Sequence, residues 1–248
     1  MMKGNRLIVC PRELWAKTAA DHVGDAIRMA LPASPGARCA VALAGGNTPG
    51  PVYAELAGRF GARIDWPRVD LFLADEPMVA LDHPDSNYRA AHGALLASLP
   101  ASLPKIHPVA TQWEPMHAAA AYELAVREGV PAHADGIPSF DLILLGVGDD
   151  GHTASIFPNS PLLSESTRLI AAIAHPRSGQ ERLTFTPRLL AAARQIVFLV
   201  KGEEKAHILA RVYDAPPSPD LPATVVAAAA QDCVWIVDEA AAAKLQAR

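Results

Sequence analysis

The stretch LLGVGDDGHTASIFP, Leu144 to Pro158, sets an aspartate two residues before a histidine in a glycine-rich loop after an apolar run. A carboxylate beside an imidazole fixes the tautomer of the ring and raises its basicity, which is what a general base acting on water requires. Asp150 and His152 are therefore the candidate catalytic pair. The same stretch contains Gly146-x-Gly148-x-x-Gly151, a match to the dinucleotide-binding fingerprint. That reading fails on charge, because Asp149 and Asp150 would lie beside the pyrophosphate. It also lacks an acid at the end of the next apolar run, Ala171 to Ala174. No cofactor is expected.

Two further loops and a pair of cations carry groups suited to an anionic, hydroxylated ligand. In LAGGNTPGP, Leu43 to Pro51, glycines follow an apolar run, Thr48 suits an N-cap and Pro49 suits a first helical turn. Free N–H groups at such a turn favour an anion, so Gly45, Gly46, Asn47 and Thr48 are candidate phosphate binders. A plain strand-to-helix turn fits the same residues, and without Gly-Lys-Ser/Thr it is no Walker A loop. In LADEPMVALDHPDSNYRAA, Leu73 to Ala91, Asp75 and Glu76 end a run, where they suit substrate hydroxyls or acid–base work. Asp85, Ser86 and Asn87 suit a helix cap, and a solvated acidic loop is the alternative reading. Arg182 in QERLTFTP and Lys205 in VKGEEKAHIL could clamp a phosphate. Ordinary surface ion pairs are the alternative there, with Glu203 and Glu204 beside Lys205. The nine histidines form no HExxH and no close Cys/His spacing, so no metal is expected. No GxSxG elbow points to a serine triad.

Elements must bring these loops together. Short apolar runs at Arg6 to Val9, Cys39 to Gly45, Val69 to Ala74, Phe140 to Gly146, Arg168 to Ala174, Gln195 to Val200 and Cys233 to Asp238 read as strands. Helical patterns are predicted at Glu13 to Leu31, Pro49 to Phe60, Asn87 to Leu99, Glu114 to Glu128, Glu203 to Val212 and Glu239 to Gln246, and the alanines at 227–230 also read as helix. Continuous rather than alternating apolar runs belong to strands covered on both faces. The expected fold is α/β, doubly wound around a mostly parallel sheet, with ligands beyond the carboxyl ends of the strands. The loops after Ala44, Ala74, Leu145 and Val200 are the places to search.

Half of the 248 residues are hydrophobic and 19% are charged, which excludes a disordered chain. No apolar run reaches the roughly 18 residues of a membrane span, and MMKGNRLIVCPRELW shows no signal-peptide pattern. Three scattered cysteines, Cys10, Cys39 and Cys233, read as reduced thiols, and a cytoplasmic protein is expected. A net charge of -4 with no Lys/Arg run argues against nucleic acid as a partner. No linker divides the chain, so one domain over 1–248 is expected, as a monomer or small homo-oligomer.

The order GGNTP, DE with DSNY, GVGDDGHTAS, ERLTFT and GEEKA resembles the 6-phosphogluconolactonases, from about Cys39 to Asp238. That family shares its fold with glucosamine-6-phosphate deaminase and ribose-5-phosphate isomerase. The resemblance implies a modified Rossmann-like three-layer sandwich without a nucleotide. It implies hydrolysis of 6-phospho-D-glucono-1,5-lactone, a phosphorylated sugar lactone, in the oxidative pentose phosphate pathway. His152 matches the family's catalytic histidine and Asp150 its partner. Gly45 to Thr48 match the phosphate turn, and Arg182 and Lys205 match basic positions that hold the sugar phosphate. Asp75, Glu76, Asn87 and Gly151 complete the expected substrate-binding set. Two positions depart from the pattern. Asn47 stands where Ser is common, and Pro77 stands where the family has an arginine thought to face the substrate. Arg89, Arg177 and Arg182 are the candidates to replace it. The rival readings are a ring-opening isomerase or deaminase, and a sugar-phosphate sensor, on the same fold.

Overall fold

The apolar runs become central strands because each presents alternate side chains to two separate cores. In β2 (Cys39–Leu43), Ala40 and Ala42 enter one core, and Cys39, Val41 and Leu43 enter the other. The same division holds in β6 (Leu142–Leu145), β9 (Ile196–Val200) and β10 (Cys233–Asp238). Burial on both faces explains why no polar alternation marks these runs. The computed structural model describes residues 5–31, 36–99 and 103–246.

With β1 (Asn5–Cys10), β3 (Val69–Leu73) and the short β5 (Lys105–Ile106), these strands form a seven-stranded sheet. Its order is β1-β10-β9-β6-β2-β3-β5, and every pair in it is parallel. One face is covered by α1 (Trp15–Ala30), α2 (Gly50–Phe60) and α3 (Asn87–Ala94). The other is covered by α4 (Pro115–Gly129), α5 (Pro187–Ala191), α6 (Ala206–Asp214), α7 (Pro222–Ala229) and α8 (Glu239–Ala242). The expected α/β three-layer sandwich is the observed architecture. Among the described residues no helix is long and apolar enough to cross a membrane.

One expected parallel strand belongs elsewhere. Residues of the RLIAAIA run form β7 (Ile170–Ala174), which pairs antiparallel with β8 (Glu181–Phe185). β8 in turn pairs antiparallel with β4 (Asp75–Pro77), giving a second, three-stranded sheet. β7 is apolar because its first residues pack into the core beside α4, not because both faces are covered. β8 is hidden in the sequence because ERLTF mixes two charges and a threonine with its apolar residues. The helix expected to Leu99 breaks after Ala94 and resumes as a single 3-10 turn, and the last helix closes at Ala242.

Strand order reverses between β2 and β6. From β2 the chain builds outward through β3, and from β6 it builds the other way through β9. At such a point successive crossovers leave on opposite sides of the sheet, and a crevice opens beyond the strand ends. Deep in the core below it, Phe198 lies stacked on Trp235 with ring centroids 4.0 Å apart, both fully buried. Phe198→Ala leaves a cavity there and is expected to lower stability by about 3–5 kcal/mol in a urea titration.

Candidate active site

The crevice at the strand reversal is a cavity of about 340 Å³. Its walls are the residues that follow β2, β3, β6 and β9, four neighbours in the sheet, together with Arg182 from β8. These are the four loops singled out by the sequence.

After β6 the chain makes a tight glycine loop closed on itself. The Gly148 N–H donates to the His152 carbonyl and the Gly151 N–H donates to the Gly148 carbonyl, both at 2.9 Å. The Thr153 hydroxyl donates to the Gly146 carbonyl at 2.8 Å. This folding brings Asp150 Oδ1 to 2.6 Å from His152 Nδ1, and the same oxygen accepts the His152 backbone N–H at 3.1 Å. A Cβ at residue 148 would overlap the imidazole, so glycine there is what lets the ring lie across the loop. Phe157 also packs against the ring, with centroids 5.2 Å apart. Nδ1 is thus committed to the carboxylate, and Nε2 is the nitrogen left to accept a proton. Burial pushes the Asp150 carboxyl up, but the His152 N–H and the imidazole together outweigh it and hold the group below the usual carboxylate range. His152 lines the cavity, while Asp150 stands behind it.

The turn after β2 supplies Gly45, Gly46 and Thr48 to the cavity wall. Asn47 is exposed and does not line it. Helix α2 begins at Gly50 with Pro49 in the cap position, so Thr48 is not the cap that its side chain suggested. Asn87 braces this turn: its Oδ1 accepts the Gly46 N–H at 3.2 Å, and its Nδ2 donates to the Asp75 carbonyl at 2.8 Å. It approaches so closely that any Cβ at Gly45 would overlap it.

Both expected cations reach the cavity, and both already have acidic partners. Arg182 Nη2 donates to Asp75 Oδ2 at 2.6 Å. Lys205 Nζ donates to Asp149 Oδ1 at 2.6 Å and to the Val147 carbonyl at 2.9 Å. Asp75 also lines the cavity. Two residues that bear on the site, one lining the cavity and one buried behind it, escaped the sequence reading. Lys201 lines the wall just beyond β9, over the Trp15 ring, and its place at a strand's carboxyl end was the available signal. Ser155 hydrogen-bonds Arg182, but TASIFP looks polar-poor and gives no such hint. Among the described residues no group of three His, Cys, Asp or Glu side chains is arranged to hold a metal ion.

Residues 11–235 match the family described as glucosamine-6-phosphate isomerases/6-phosphogluconolactonase. The chain belongs to this family. It is 40% identical to the 6-phosphogluconolactonase of Synechocystis sp. over 83% of its own length and 84% of the relative's. It is 35% identical to the 6-phosphogluconolactonase of Homo sapiens, over 83% and 80% of the two lengths. The crystal structure of 6-phosphogluconolactonase from Thermotoga maritima superimposes with a TM-score of 0.79 at 28% identity, covering 95% of this chain and all of that one.

Within the family frame, two expected substrate contacts take other positions. Glu76 is fully buried and does not line the cavity. Its two oxygens accept the N–H groups of Asn87 and Tyr88, both at 2.9 Å, while the Ser86 hydroxyl accepts that of Arg89 at 3.1 Å. Together they satisfy the first donors of α3, which otherwise have no partner inside the helix. Gly151 also lies off the cavity, packed on Leu221, with its carbonyl accepting the Ala223 N–H. Pro77 stands opposite Arg182 in the antiparallel pair, and of the three arginines considered as replacements only Arg182 lines the cavity. Arg89 and Arg177 are exposed outside it.

Burial pushes the Glu76 carboxyl up to about 7, against the opposing pull of the Ser86 hydroxyl and the Tyr88 N–H and with help from the Asp75 charge. A carboxyl raised in this way binds a proton in the folded state at a pH where the unfolded chain has lost it. Its contribution to stability is therefore complete below about pH 4.5 and is lost as pH rises to about 7. The loss is on the order of 3 kcal/mol. Denaturant titrations at pH 5, 6, 7 and 8 are expected to show a flatter pH slope for Glu76→Gln than for the wild type.

Proposed function

We propose that this chain hydrolyses 6-phospho-D-glucono-1,5-lactone to 6-phospho-D-gluconate, with His152 as the base that activates water. The activity is the one named for its relatives, and one observation carries the mechanism. His152 is locked through Nδ1 to Asp150 while its ring lines the same cavity as Arg182 and Lys205. Nε2 takes a proton from water, and the water oxygen attacks C1 of the lactone. Asp150 stabilises the imidazolium that forms. The bond from C1 to the ring oxygen then breaks, and the proton on Nε2 passes to that oxygen as it leaves. The products are a carboxylic acid, which ionises, and a free hydroxyl.

Phosphate binding fixes the lactone for this attack. Arg182 and Lys205 supply charge, and the Gly45 to Thr48 turn ahead of α2 supplies backbone donors other than the Gly46 N–H, which Asn87 already holds. The donors for the tetrahedral oxyanion lie outside the tight loop's own bonds, because the N–H groups of Gly148, Gly151 and His152 are engaged within it.

The deaminase reading needs an additional acid after the histidine for ring opening. Here the segment from Thr153 to Pro158 contains none, and its polar groups are turned inward: Thr153 onto the Gly146 carbonyl and Ser155 onto Asp75. Ammonia release from glucosamine-6-phosphate is expected to be undetectable.

His152→Ala is expected to fold normally and to lose about 10²–10⁴-fold in kcat on the phosphorylated lactone. A wild-type rate in that variant would remove His152 from the mechanism. The wild-type enzyme is also expected to prefer the phosphorylated lactone strongly over glucono-1,5-lactone in kcat/KM. Equal values would show that Arg182 and Lys205 do not serve the phosphate.

A further inference from the structure

We propose that Ser155 is a positioning residue, which acts with Asp75 to aim the Arg182 guanidinium into the cavity and to couple it to the glycine turn after β2. The proposal rests on the reading of Arg182 as a phosphate ligand.

Ser155 is fully buried. Its hydroxyl donates to Asp75 Oδ2 at 2.7 Å and accepts from Arg182 Nε at 2.6 Å. Since Arg182 Nη2 donates to the same Asp75 oxygen at 2.6 Å, hydroxyl, carboxylate and guanidinium close a ring of three hydrogen bonds. A hydroxyl suits this place because it gives one hydrogen bond and receives another, so that neither neighbour is left unsatisfied. Gln180 takes one N–H of Nη1 at 3.2 Å. A guanidinium carries five N–H donors, and this arrangement leaves one on each terminal nitrogen for a ligand.

Two features set the direction of the Ser155 hydroxyl. The residue before it, Ala154, has φ 48°, a left-handed turn that reverses the chain after the histidine loop. The Ser155 N–H then donates to the buried Thr184 hydroxyl on β8 at 3.1 Å. The ring also extends to the other wall. Asp75 Oδ1 accepts from Asn87 Nδ2 at 3.2 Å, and Asn87 Oδ1 accepts the Gly46 N–H at 3.2 Å. A chain of hydrogen bonds, buried at Asp75 and Asn87, thus runs from the guanidinium to the phosphate turn, and it engages both oxygens of Asp75. Asp75 is consequently a support for the cation rather than an acid or base of the reaction.

The test is steady-state kinetics on 6-phosphogluconolactone with wild type, Ser155→Ala, Arg182→Ala and the double variant. Ser155→Ala is expected to raise KM about tenfold, the worth of one hydrogen bond to a charged group, with kcat held within about twofold. In the Arg182→Ala background it is expected to add nothing to KM. A merely structural loss would instead lower the active fraction, reducing apparent kcat with KM unchanged in both backgrounds. An unchanged KM in Ser155→Ala, or an equal rise with and without Arg182, would overturn the positioning role. An unchanged KM in Arg182→Ala would overturn the phosphate reading itself. If Ser155→Ala gives no folded protein by circular dichroism, the isosteric Asp75→Asn takes its place with the same expected rise in KM and the same overturning results.

Discussion

Both faces of the seven-stranded sheet are covered, and that single constraint arranges everything else. Strands buried on two sides hold no polar side chain without cost, so the chemistry is displaced to the strand ends. Parallel pairing sends all those ends in one direction, which gathers the loops after β2, β3, β6 and β9 at one edge. The reversal of strand order between β2 and β6 then leaves the gap in which they meet. The glycine turn and the histidine loop belong to the two strands on either side of that gap.

Inside the gap the site is preorganised by its own charges. Arg182 rests on Asp75 and Ser155, Lys205 rests on Asp149, and the imidazole rests on Asp150. The pairs differ in depth. Asp75 has 8% of its side chain exposed and holds its cation rigidly, whereas Asp149 is 83% exposed and its pairing with Lys205 is screened by water. An arriving phosphate therefore meets one cation fixed in direction and one that can be drawn away from a solvated partner. With a net charge of -4 the whole protein offers such a ligand no long-range attraction, so recognition is local.

Much of the site was legible in the residues themselves. His152, with Asp150 behind it, the glycine turn and Lys205 all reach one cavity, because each lies just past an apolar run whose end is readable, whereas Arg182 reaches it from within β8. The misreadings share a cause. Glu76 is adjacent to Asp75 in sequence, yet β4 alternates, and the two carboxylates separate: one lines the cavity and the other is buried beneath α3. Gly151 and Asn47 fail in the same way, since a residue in a loop that forms a site can face either side of it. The mixed strand β8 and the short β4 have too little apolar periodicity to be seen.

Local chemistry thus determined the fold class, the loops and the kinds of groups they offer, because apolar runs, glycines and caps act over a few residues. Only the tertiary structure decided which carboxylate serves which cation and which serves a helix end. Ser155 and Arg182 are 27 residues apart and Asp75 and Arg182 are 107 apart, yet they share one set of hydrogen bonds. Such partners are chosen by where the antiparallel sheet lays β4 against β8. That pairing depends on packing across the whole molecule rather than on any stretch of sequence.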